Sequence, residues 1–437
     1  MKRNASKSFW LTLVLFSLIG QIAWVVENMY LNVFIYKMFN ASASDISLMV
    51  SASAVAATLT TVFIGALSDK IGKRKVFMCA GYILWGASIL SFSLVKEELV
   101  GAIFSTATSI SSVCVTIVIV LDCIMTFFGS SANDAAFNAW LTDSTDNQNR
   151  GGAEGINAMM PLVAILAVFG GFMAFDLDSS RSWNYIFAII GAVVAVVGIA
   201  GCFFVKEPLQ EPQNNGYFKS VVHGFLPSTV NKNPALYLYL FLFVLFNISI
   251  QIFMPYLIIY YEVSLKMTNY VFVMAPAIII ASVVTALWGK VYDKKGFELS
   301  MWCAISALSL GYIVLWLTRS VVLVFIGSLL MMSGYLSGMA VFGAKIRDLT
   351  PSGKAGMFQG VRIFSQVLLP GVIGPFIGKT VLSGAERIVN NDGTESFVPN
   401  QNIFIAALVV AVVLSLLLFA FWGKRKKWEA KKQTNIN

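Results

Sequence analysis

Apolar runs long enough to form membrane-crossing helices, on the order of 20 residues each, alternate with short polar turns along the chain. Twelve are read, at 9–36, 45–68, 76–95, 112–141, 153–175, 183–205, 235–261, 268–291, 299–318, 320–344, 356–382 and 401–423. The stretch 96–141 exceeds one helix, so 99–111 (VGAIFSTATSISS) is expected to be an external or re-entrant segment, with an extra short helix as the alternative. One long polar stretch, 206–234, divides six runs from six and holds four of the 11 prolines. Its Pro, Asn and Gly content predicts a cytoplasmic linker rather than a packed domain. The expected organisation is a bundle over 1–205, a linker over 206–234, and a second bundle over 235–437 with a basic tail.

Composition agrees with this pattern. The chain is 57% hydrophobic and 12% charged, where a soluble globular chain carries roughly a quarter charged; a water-exposed surface cannot be built from that. Tracing the chain through the twelve runs puts 24 of the 31 Lys and Arg on one side. That bias places both termini in the cytoplasm of a cell (cytoplasmic) membrane protein, and it accounts for the net charge of +9 without a nucleic-acid partner. The start, MKRNASKSFWLTLVLF, has the basic and apolar regions of a signal peptide, but the apolar run continues to about residue 36 with no small-residue cleavage site. An uncleaved first span is expected. Cys79, Cys114, Cys123, Cys202 and Cys303 stand singly, and the one histidine, His223, lies in the linker. Neither a metal site nor a disulfide nor a cofactor is expected from them.

Two repeats relate the halves. GALSDKIGKRK at 65–75 returns as GKVYDKKG at 289–296, aligning Gly65, Asp69 and Gly72 with Gly289, Asp293 and Gly296. A looser pair runs from Asp143 to Gly155 (DSTDNQNRGGAEG, containing Arg150) and from Asp348 to Gly360 (DLTPSGKAGMFQG). In such a turn Gly65 and Gly289 would let helices approach closely, Gly72 would permit the reversal, and Asp69 would pair with a neighbouring helix end as a gate, Arg74 belonging to the same motif. For Lys73 and Lys75 a topology signal is the simpler reading. Parallel six-span repeats around a site near the bilayer midplane are a secondary-transporter architecture. The first turn resembles the loop signature of the major facilitator superfamily, and the second its echo. The resemblance implies an all-α membrane protein of twelve transmembrane helices in two six-helix bundles, rocking about a central cavity.

Ionisable side chains inside spans are costly and mark function, and three acids qualify: Glu27, Asp122 and Asp134. In the first span Gln21, Trp24, Asn28 and Asn32 follow helical spacing, with Glu27 able to join the stripe; a solute cavity is the functional reading and interhelical packing the plain one. The segment NDAAFNAWLTDSTDNQNRGG at 133–152 is similar to the fourth-helix and loop pattern of the glycoside-pentoside-hexuronide sugar symporters. That similarity would make Asp134 the carboxylate serving sugar and coupling cation, with Phe137 and Trp140 as aromatic neighbours and Arg150 the loop arginine. A carboxylate accepts hydrogen bonds from two hydroxyls while an aromatic face packs on ring hydrogens. The pattern departs where the family carries second-helix acids: Ala57 and Thr61 stand there, so protons through Glu27, Asp122 or Asp134, or uncoupled flux, are expected before sodium. In the second half Asn247 and Gln251, and Arg362 and Gln366, lie four apart and suit a neutral polyol.

The expected function is a secondary transporter of a sugar or glycoside, working as a monomer in the lipid bilayer. An efflux antiporter for drugs or metabolites is the rival within transport, although the fifth span, GINAMMPLVAILAVFGG, places Pro161 and its paired glycines at the wrong spacing for one. A membrane enzyme or a non-transporting sensor is the rival of another class. An enzyme should cluster a nucleophile, base or metal ligands, and a sensor should append a soluble output domain; neither is read here.

Overall fold

The computed structural model describes residues 7–145, 150–207, 222, 224–267, 269–350, 355–389 and 395–424. The chain forms two compact units, Met1–Phe218 with Arg387–Ser396, and Lys219–Glu386 with Phe397–Asn437. Most of the expected linker, residues 208–221 and His223, lies outside the described residues.

Unit 1 begins with α1, Lys7–Val25, which passes through a π-helical turn at Val26–Tyr30 into α2, Leu31–Phe39. A reciprocal cap then starts α3, Ala43–Ile71: Ser42 Oγ accepts the Asp45 N–H at 3.2 Å, and Asp45 Oδ2 accepts the Ser42 N–H at 2.8 Å. The helices α4 (Arg74–Ser91), α5 (Glu97–Ile103) and α6 (Ile110–Gly129) follow. A π-helical stretch, Ser130–Phe137, joins α6 to α7, Asn138–Asp143, and α8 (Arg150–Phe172) and α9 (Ser180–Phe204) complete the unit's helices. The ambiguous stretch after residue 95 therefore contains the short helix α5 ahead of one 34-residue span, Ile110–Asp143.

Unit 2 contains α10 (Pro234–Gln251), α11 (Val271–Leu317), α12 (Val321–Leu349), α13 (Ala355–Ile363), α14 (Leu369–Val381) and α15 (Asn402–Ala420). Two more π-helical turns occur here, Tyr260–Ser264 after α10 and Phe364–Leu368 between α13 and α14. A two-stranded hairpin, β1 (Arg387–Val389) with β2 (Glu395–Phe397), precedes α15, and Ser396 Oγ donates to Asn40 Oδ1 at 2.8 Å within unit 1.

Among the described residues 11 helices are long and apolar enough to cross a membrane. The expected spans 268–291 and 299–318 both fall in α11, a 47-residue run that leaves helical geometry at Gly296, with φ 76° and ψ −174°. Gly72, which ends α3, has φ 70°, and these two are the only glycines with positive φ among the described residues. The two copies of the repeated turn thus both end on a glycine with positive φ, which a side chain disfavours, but Gly72 is left-handed helical with ψ 16° whereas Gly296 is extended, with ψ −174°.

Close helix contacts in each unit depend on other glycines. A Cβ on Gly86 of α4 would meet Gly191 O of α9 at 2.5 Å, and one on Gly334 of α12 would meet Leu308 N of α11 at 2.4 Å. Both obstacles are backbone, so neither can swing aside. By contrast Gly289, expected to allow such an approach, has nothing within 4 Å of an added Cβ; its neighbours leave open space. Gly86→Val or Gly334→Val should lower stability by about 1–3 kcal/mol, read as a lower melting temperature of the detergent-purified protein. Gly170→Ala, at a position with nothing within 4 Å, should leave it unchanged, and an unaffected Gly86→Val protein would contradict the backbone contact.

Candidate solute and coupling site

The repeated turn of unit 1 is organised around one buried arginine. Arg74 Nε donates to Asp143 Oδ2 at 3.1 Å, with side-chain exposures of 7% and 12%, and Nη1 donates to Ser68 Oγ at 2.6 Å. Ser68 in turn donates to Gly65 O at 3.0 Å. The first residue of α4 has no cap from Lys73, so its N–H groups need another acceptor. Glu207 supplies it, accepting from the Arg74 N–H and, at 3.2 Å, from the Lys75 N–H; a carboxylate also suits the positive end of a helix dipole. Asp69 was the expected gate, but its side chain, like that of Arg150, lies outside the description. Among the described residues Arg74 meets the acid Asp143, one of the predicted gating residues. Ser68 and Glu207 were missed, since neither lies in the repeated Gly and Asp positions.

The corresponding turn in unit 2 is built differently. Asp293 is exposed, while its neighbour Tyr292 donates to Asp348 Oδ2 at 2.7 Å, and the Lys345 ammonium lies 5.3 Å from the Tyr239 ring centroid and 5.8 Å from that of Phe297. Only the first copy holds a buried ion pair among the described residues. Arg74→Gln should cost about 3–5 kcal/mol through the uncompensated Asp143, measured by thermal or denaturant unfolding, whereas Lys73→Gln should be close to neutral. Equal stability of the two variants would remove the ion pair as the organising contact.

The predicted polar stripe of the first span is divided by the π-helical turn at Val26–Tyr30. Gln21 and Trp24 are half-buried, and Asn28 is exposed with its amide donating to Trp24 O at 2.8 Å. Asn32 is buried, so the four do not share one environment. The Trp24 ring packs against Trp85 at 5.0 Å. Glu27 leaves the stripe: the extra residue of a π turn rotates it inward, where it is 6% exposed. There Glu27 Oε1 accepts from Ser53 Oγ of α3 at 2.9 Å and from Thr126 Oγ1 of α6 at 2.8 Å. Asp122, 2% exposed, precedes Thr126 by one turn of α6 and so lies on the same face.

Asp134 sits in the π-helical stretch after α6 and is half-buried, its Oδ2 accepting from Ser130 Oγ at 2.9 Å. One turn on, exposed Asn138 donates to Asp134 O at 3.2 Å; it is a polar neighbour the sequence reading passed over. Trp140 is not available to a solute. Only 1% exposed, it stacks on Phe9 at 5.4 Å and on Phe137 at 6.0 Å, and its Nε1 donates to Lys206 O at 3.0 Å. Both faces and the polar edge serve packing, which corrects its assignment as a solute-stacking residue.

In unit 2, Asn247 of α10 is buried and donates to Phe243 O at 2.8 Å. Gln251 is half-buried, held where α10 meets Gly374 of α14; a Cβ on that glycine would lie 2.4 Å from the Gln251 Cβ. Arg362, in the last turn of α13, is half-buried with its Nε lacking any acceptor among the described residues, and Gln366 lies in the π-helical turn that follows. Four predicted site residues, Glu27, Asn28, Asp134 and Gln366, therefore occupy π-helical turns. Each such turn frees backbone groups and redirects a side chain, and these turns concentrate at functional sites.

Eleven helices long and apolar enough to cross a membrane among the described residues define a multi-pass integral membrane protein. The profile described as Major Facilitator Superfamily matches residues 9–375. The chain belongs to that superfamily, and it is a transporter of small solutes rather than an enzyme. No curated protein matches the sequence. Solved structures share the fold. A mutant form of the nucleoside transporter NupG superposes with a TM-score of 0.71 at 13% identity, covering 94% of this chain and 98% of that one. A bacterial homologue of the human lysosomal transporter Spinster, inward-facing and unoccupied, gives 0.68 at 14% over 95% and 97%. The xylose transporter XylE from E. coli, in a partially occluded inward open conformation, gives 0.67 at 12% over 94% and 99%.

Proposed function

We propose that the protein is a secondary active transporter that moves a sugar or glycoside across the cytoplasmic membrane by alternating access, driven by protons. On this reading the chain has twelve spans in two six-helix bundles with both termini cytoplasmic, and it works as a monomer. The observation that carries it is the placement of Glu27 and Asp134 on π-helical turns of unit 1. A carboxylate held there inside a span is expensive, and it repays that cost by binding hydroxyls or a proton. Amides at Asn247, Gln251 and Gln366, with the Arg362 guanidinium, provide unit 2 with donors and acceptors for a polyol. The sugar-symporter resemblance of residues 133–152 supports the solute class, and Ala57 and Thr61, where acids would hold sodium, support the proton; Thr61 Oγ1 is itself bonded to Ala57 O at 2.8 Å.

Uptake of a panel of sugars, glycosides and nucleosides into proteoliposomes, with an imposed proton or sodium gradient, tests this. Uphill accumulation of a sugar or glycoside under the proton gradient is expected. Asp134→Asn should abolish that accumulation, and a variant that accumulates solute as the wild type does would remove Asp134 from the coupling.

A further inference from the structure

Around Glu27 the hydrogens can be counted. Glu27 Oε1, Ser53 Oγ and Thr126 Oγ1 form a closed triangle with edges of 2.9, 2.8 and 2.7 Å. Three oxygen pairs at hydrogen-bond distance take three hydrogens, and the two hydroxyls carry only two. The third has one source, a carboxyl proton on Glu27 Oε1, which then donates to one of the two hydroxyls and accepts from the other. Asp122 stands beside this triangle, one turn before Thr126, within hydrogen-bonding reach of Ser53 and electrostatic reach of Glu27. Glu27 Oε2 and Asp122 Oδ1 are buried with no partner among the described residues. The other titratable groups that act on the pair are Asp134 on Glu27 and Cys123 next to Asp122; no Lys or Arg side chain is paired with either acid among the described residues.

Two bare carboxylates in this setting would each lose hydration worth several kcal/mol and would repel one another as well. A single proton between them removes one charge and most of the repulsion, as in other paired acids, and the pair then titrates as a unit rather than as two sites.

We propose that Glu27 and Asp122 form one proton-holding unit that carries a single shared proton, with Ser53, bonded to Glu27 and within reach of Asp122, as the positioning hydroxyl. The inference deepens the proton-coupled reading above and rests on it for its role in transport. On loading, one proton leaves water and adds to a carboxylate oxygen of the pair, taking its charge from −2 to −1; on release that O–H bond breaks and the proton returns to water. Asp134, bonded to Ser130 of its own segment, is outside this unit and remains free to meet solute.

Infrared difference spectroscopy of the full-length protein in lipid tests the proton count without a known solute. The carboxylic C=O band of the wild type minus that of the Glu27→Gln, Asp122→Asn double variant should have the area of one protonated carboxyl, calibrated on a carboxylic acid of known concentration, and should shift in heavy water. An area of two carboxyls, or none, would overturn the shared proton. Ser53→Ala should move the band and Ser53→Thr should restore it; an unmoved band overturns the role of Ser53. Should the double variant fail to fold, wild-type protein can be treated with a hydrophobic carbodiimide, which adds to protonated carboxyls, and analysed by mass spectrometry. An adduct at Glu27 or Asp122 supports the proposal, and its absence from both refutes it. A one-carboxyl band in a protein that shows no proton-driven uptake would leave the pair standing and remove the coupling; driven uptake with a different carboxyl count would do the reverse.

Discussion

Inside a bilayer a polar group has no water to bond, and nearly every feature of this chain answers that constraint. The backbone satisfies itself by coiling into helices. Hydroxyls within the spans return their hydrogen to the preceding turn, as Thr58 does to Ala54 O and Thr285 to Ala281 O, both at 2.8 Å. Helices then approach through glycines rather than through a hydrophobic effect that lipid would not supply, which is why α4 and α9, and α11 and α12, are fitted so closely that a single added methyl group meets backbone.

The same constraint makes each remaining charge conspicuous. Arg74 is tolerated because Asp143 and Ser68 take its donors, and the start of α4 because Glu207, 133 residues away along the chain, takes its free N–H groups. These contacts join the end of α3, the start of α4, the end of α7 and the segment that follows α9. The echo of the turn in unit 2 is built differently: its acid Asp293 is exposed, and a tyrosine donates to Asp348. A glycine with positive φ ends both turns, while the charged residues around the two differ.

Glu27 and Asp134 show how a helix directs polarity without breaking. An ordinary α-helix would have placed Glu27 one turn on from Trp24; here it lies in a widened turn and bonds to Ser53 and Thr126. In the fourth span the widened stretch lasts eight residues and holds both Asn133, bonded to Tyr82 OH at 2.7 Å, and Asp134. Widened turns in two different spans hold the buried Glu27 and the more accessible Asp134 within one unit.

The sequence alone determined the membrane class and the superfamily, because these depend on apolar length and a short turn motif, both of them local along the chain. It also singled out Glu27, Asp122, Asp134, Arg74 and Asp143, since a charge in or beside an apolar run is visible without any structure. What it could not supply was the partner of each charge. Ser53 and Thr126 are small hydroxyls in runs full of them, Glu207 belongs to a polar stretch read as a linker, and Trp140 resembles a solute platform until Phe9, Phe137 and Lys206 O are seen to use all of it. Such pairings join residues far apart in sequence, and π-helical turns change side-chain phase with no clear residue signature. Tertiary structure therefore decided which polar groups bond to one another within the fold.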